Sequence, residues 1–116
     1  MSKLAKSLAA AAGNAGADAP NVEKVFSTYL YDGTGSAQTI TNGIDLDGEG
    51  GMVWHKSRSL SGGHSIVDTV RGSTKILEPN STGAEVISGS TQDLTSFNSN
   101  GFSLGTPFQA NWQNSG

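Results

Sequence analysis

The sequence predicts an all-β domain of the antiparallel sandwich or barrel class, preceded by a short N-terminal α-helix. Three observations predict it. After residue 20 the chain reads as short runs rich in β-branched and aromatic residues, separated by turn residues at roughly 8–12-residue intervals. No apolar pattern of helical period follows residue 20, which argues against a parallel sheet with crossover helices. Much of the remaining chain is Ser, Thr, Asn and Gly, with 16 Gly among 116 residues. These are turn formers and sheet-surface residues.

Residues 1–20 stand apart. They hold eight of the chain's 11 Ala, the best helix former. Ser2 can cap a helix start, and Gly13-Asn14 can end it in a left-handed conformation. Leu4 and Leu8 share one face with Ala11 and Ala12. A helix of about three turns is marginal alone. Lys3 and Lys6 sit unfavourably at the positive end of its dipole. It is therefore expected to be ordered when docked, with Leu4, Leu8, Ala11 and Ala12 as the docking residues. Lys3 and Lys6 ahead of an Ala-rich stretch also outline a secretory leader, but Lys6 and Ser7 interrupt the apolar stretch. Gly13 to Asn21 reads as a linker. The expected division is a docking helix and linker over 1–21 and a β-domain over 22–116.

The β-region opens with Val25 to Tyr31, a branched and aromatic run closed by the turn Asp32-Gly33-Thr34-Gly35. Gln38 to Thr41 alternates and ends at Asn42-Gly43, a strong turn signal. Ile44-Asp45-Leu46 leads into a Gly-rich acidic turn. Met52 to Lys56 is the most convincing core strand, with Trp54 as its expected core residue and His55 on the opposite face. Strands are further expected over 65–70, 74–77, 85–88, 93–97, 101–104 and 108–112.

Composition excludes several functions. No apolar run approaches the roughly 18 residues of a membrane span. With no Cys, disulfide frameworks, thiolate metal sites and cysteine nucleophiles are excluded. The net charge of −3 and scattered basic residues argue against a nucleic-acid footprint. Leu, Ile, Val and Phe number 23 of 116, a thin supply for a core, so an oligomer or other partner is expected.

The candidate chemical constellations are weak. Asp45, Asp47, Glu49 and Gly50 match positions one, three, five and six of an EF-hand loop, but Lys56 stands where the bidentate Glu belongs. The turn reads as solvated, with loose Ca²⁺ binding as its functional alternative. His55 and His64 read as surface or cross-strand polar residues, because a metal site needs three or four convergent ligands. No nucleophile elbow or phosphate loop is present. Asp68 and Arg71 are spaced to hold a turn. Asn80-Ser81-Thr82 matches a glycosylation acceptor. Trp54, Tyr29, Tyr31 and Trp112 suit sugar stacking, yet a chain so poor in large apolar residues needs most of them in its core. No catalytic residue, metal ligand or cofactor is assigned.

Five segments in order carry a family resemblance: Val25 to Ser36, Met52 to Arg58, His64 to Gly72, Leu94 to Phe97 and Asn100 to Gly105. Together they resemble the lectin-like repeat of tailed-phage virion proteins, especially of marine phages. The resemblance spans about residues 25–112, and Ala12 to Gly16 is similar to the starts of such tail proteins. It implies a concanavalin-type, jelly-roll sandwich and a non-enzymatic tail or tail-fibre component of the virion, made in the host cytoplasm. The N-terminal segment would anchor to other tail proteins. A homo-oligomer is expected, a trimer being favoured. The alternative is a carbohydrate-binding module for host-surface glycans. A hydrolase of the same sandwich class would need paired carboxylates in a cleft, which the acidic turn does not supply. The family's repeats continue past the Trp112 region into another aromatic, basic strand. This chain stops at Asn114-Ser115-Gly116, so a fragment of a longer fibre or an edge supplied by a neighbour is expected.

Overall fold

Two groups of antiparallel strands carry the fold of the computed structural model, which describes residues 21–107. The N-terminal helix expected over 1–20, with Leu4, Leu8, Ala11 and Ala12, lies outside the described residues, as does the strand expected over 108–112.

The first group is a three-stranded sheet in the order β1-β7-β6, from β1 (Gln38–Thr41), β6 (Leu94–Asn98) and β7 (Gly101–Leu104). β1 reaches across the chain to pair with β7, in a register running from Gln38 opposite Leu104 to Thr41 opposite Gly101. The β6–β7 hairpin slips register between Leu94 and Ser96, the mark of a bulge. Gly101 is required where β1 and β7 cross, because a Cβ there would drive into the Ile40 carbonyl.

The second group is a meander. β2 (Met52–Lys56) pairs with β3 (His64–Asp68), and β4 (Lys75–Ile76) with β5 (Val86–Ile87). An antiparallel bridge between Ile66 and Leu77 joins the two pairs through two backbone hydrogen bonds of 2.8 and 3.0 Å. The β3–β4 turn is held by Arg71. Its Nε donates to Asp68 Oδ2 at 2.6 Å and its Nη1 to Glu85 Oε2 at 3.2 Å. Asp68 Oδ1 meanwhile accepts from the backbone N–H groups of Val70 and Arg71. These bonds, first that from the Arg71 backbone, hold the Asp68 carboxyl below its ordinary range.

Seven apolar side chains form the core: Ile40, Leu46, Val67, Ile76, Leu94, Phe102 and Leu104. They come from both strand groups and from α2 (Leu46–Glu49), a single turn capped by Asp45, whose Oδ1 accepts from Gly48 N–H at 2.7 Å. The acidic turn is therefore a helical turn in which Asp45 already serves the backbone.

Three expectations are corrected. Val25 to Tyr31 is not a strand. Val25 closes the one-turn helix α1 (Val22–Val25), capped by Asn21, and the residues after it run on without a ladder partner. On β2 the facing is reversed: Trp54 is 56% exposed, whereas His55 is 7% exposed. Tyr29, at 50% exposure, is also outside the core. Alternation along a strand sets which residues share a face but not which face is buried. On β2 the partner strand decides it. Ser65 and Val67 are the buried residues of β3, and they stand opposite His55 and Val53.

Candidate functional site

The segment after α1 does not pack away. It runs beside β2, and between the two lies a half-open groove of about 710 Å³. One wall is Val25 to Tyr31, the other β2 and the loop after it, and Phe102 and Ser65 contribute at the base. β2 is hydrogen-bonded to β3 alone, so its groove-side edge carries no strand partner among the described residues. Ser27, Thr28, Tyr29 and Leu30 make no hydrogen bond with any described residue. Phe26 and Leu30 are 66% and 71% exposed.

Beneath the groove lies a polar cluster in apolar surroundings. The His55 ring is met edge-on by Phe102 at 5.5 Å and by Tyr31 at 6.2 Å between ring centroids. His55 Nδ1 lies 3.5 Å from Ser65 Oγ, and its buried Nε2 has no hydrogen-bond partner among the described residues. Desolvation pushes the His55 pKa down to about 4, although the Asp93 charge pulls the other way. His55 is thus a neutral imidazole at pH 7. Burial, helped by Asp93, pushes the Tyr31 phenol above its ordinary range.

Asp93 is 1% exposed and holds a left-handed backbone at φ 50°. Its N–H donates to Thr106 O at 2.9 Å, and its carbonyl accepts from Gly105 N–H at 2.7 Å. Ser65, His55 and Asp93 include the residue types of a hydrolytic triad. However, Ser65 is 2% exposed, so its hydroxyl is closed to a substrate in this arrangement.

Trp54 and His64 form a second, outward arrangement. Trp54 Nε1 donates to His64 Nδ1 at 3.3 Å, and the ring centroids are 6.1 Å apart. His64 N–H donates to Asn80 Oδ1 at 2.8 Å, so the side chain of the Asn80-Ser81-Thr82 acceptor is tied to the start of β3. Among the described residues no three His, Asp or Glu side chains gather as a metal-ligand set. No helix of the described residues is long and apolar enough to cross a membrane.

Sequence reasoning singled out Trp54 and Tyr29 as stacking residues, but placed Trp54 in the core. It missed the unpaired wall at 27–30 and the burial of His55. The signal for the latter was Ser65, a small polar residue that leaves room and a hydroxyl for the imidazole across the ladder.

Together these features define an antiparallel all-β domain with a groove bordered by a free strand edge. The family can be stated more closely: the chain belongs to the domain of unknown function DUF7483, whose match covers residues 21–116. No curated protein and no solved structure matches the chain.

Proposed function

We propose that the chain is a non-enzymatic structural component of a phage virion, of the tail or a tail fibre, built as a concanavalin-like antiparallel sandwich. In this reading the two strand groups are the sandwich's layers and the domain is completed by assembly. One observation carries the proposal: neither strand group closes, over a core of seven buried apolar side chains. β1 and β5 are each paired on one side among the described residues. Open edges recruit further strands, and a small core gains from a partner that binds the folded state. Residues 1–20 would anchor the domain to other tail proteins through Leu4, Leu8, Ala11 and Ala12, and like subunits, as a trimer, would share the open edges. Deleting residues 1–20 is expected to leave the β-domain folded by circular dichroism and to abolish its recovery in purified particles. Truncated protein incorporated at the parental level would reject the anchor.

The Trp54–His64 pair favours a second reading, a module for host-surface glycans. An indole half-exposed at a groove mouth, its N–H already bound, offers a flat face for a sugar ring. Calorimetric titration with host-surface glycans would show heat that Trp54→Ala removes. Heat unchanged by chelator would exclude Ca²⁺ at the acidic turn.

A further inference from the structure

The groove has the form of a β-strand position. On one side stands the free edge of β2, and on the other a run outside any helix or strand whose residues 27–30 make no hydrogen bond with any described residue. Exposed backbone of this kind is a template for another strand. Ordinary solvation of a loop explains a polar segment, but not one carrying Phe26, Tyr29 and Leu30 at 50–71% exposure.

The chain itself offers a matching segment. Phe108, Ala110 and Trp112 alternate with Gln109, Asn111 and Gln113, the two-residue period of a strand with one apolar face. The family match includes these residues, so they belong to the domain and not to a tail beyond it. The point of departure also suits. Thr106 is bonded to Asp93, and the Asp93 carboxylate lies within electrostatic reach of Tyr31 and His55, both lining the groove. Pro107 alone separates Thr106 from the alternating segment, which therefore starts one residue beyond the described fold. Five residues in strand conformation span roughly 17 Å, and β2, beside which they would lie, is itself five residues long.

We propose that residues 108–112 of the same chain enter the groove as a strand between β2 and residues 27–30, making one continuous sheet of what are otherwise a free edge and a run without backbone partners. Phe108, Ala110 and Trp112 would then cover the groove's base, and the backbone of 27–30 would gain its missing partners.

Hydrogen–deuterium exchange on the full chain tests this. At least two amides among Ser27 to Leu30 are expected to exchange tenfold or more slowly than in an unstructured peptide. Ala110→Pro and Asn111→Pro, each removing a strand N–H, are expected to return them to the fast rate. The β6 and β7 amides, staying slow, would confirm that the variants are folded. Should a variant unfold, Trp54→Phe in the full chain leaves Trp112 as the single indole, expected to emit as a buried one. Fast exchange at 27–30 in the parent, protection indifferent to both prolines, or solvent-exposed emission from Trp112 would each overturn the proposal. Protection that fades on dilution, alongside a doubled mass, would also overturn it and give the groove to a second copy.

Discussion

His55 is the residue at which burial and chemistry conflict most. A neutral imidazole with one satisfied nitrogen is held under the groove, and the folded state resists its protonation. The unfolded chain binds a proton below the ordinary histidine pKa of 6.5, whereas the folded chain does so only near 4. The folded-state pKa is depressed, so the stability tied to it is fully present above pH 6.5 and is lost as pH falls to 4. The loss is about 3 kcal/mol, the pKa difference at 1.36 kcal/mol per unit. Urea unfolding of the parent and His55→Phe at pH 7, 5.5 and 4 should show the parent losing stability more steeply by about that amount. Parallel pH profiles would show that His55 is protonated in the fold. Two glycines make the opposite kind of demand, for absence of a side chain. A Cβ on Gly101 would strike the Ile40 carbonyl, and one on Gly105 the Thr91 carbonyl. Backbone cannot yield as a side-chain tip does, so Gly101→Ala and Gly105→Ala are each expected to cost about 3 kcal/mol or more in denaturant unfolding. Gly43→Ala meets no atom and carries only the strain of φ 85°, so its expected cost is about 1 kcal/mol.

At the scale of elements, what was readable in the sequence follows from how local the cause is. β1, β2 and β7 have the bounds that alternation and flanking turn residues indicate, because both signals lie within a few residues of the strand. The Asp68–Arg71 pair was equally legible, three residues apart across a turn. Val25 to Tyr31 misled because its composition suits a strand, while strand formation needs a partner edge that no described segment supplies. The facing of β2 misled for a related reason, since it is set by β3, ten or more residues away. The groove, made by two segments that share no local signal, could not be read from either. The β3–β4 turn gives this scale its prediction. Arg71→Ala removes the ties to Asp68 and Glu85, both partly solvated, so the expected loss is about 1–2 kcal/mol. Arg71→Lys should recover little of it, because an ammonium cannot reproduce the guanidinium's fork. Thermal melts of the three proteins check both statements.

At the scale of the whole molecule, the meander of β2 to β5 is built from neighbours in sequence, whereas the β1-β7-β6 sheet is closed by residues 38–41 meeting 101–104. That pairing has a consequence during synthesis. At roughly 5–20 residues per second a ribosome needs on the order of ten seconds to travel from β1 to β7. Throughout that interval β1 has no partner, and Ile40 has neither Phe102 nor Leu104 to pack against. Folding is thereby deferred until almost all of the described chain has been made, and long loop closure makes the final step slow as well. A released chain truncated at Asn98 should be cut readily by protease in β1 and β6, while the full chain should resist. The late arrival of a single four-residue strand would then act as the clock for the domain, setting when the newly made chain can close its core.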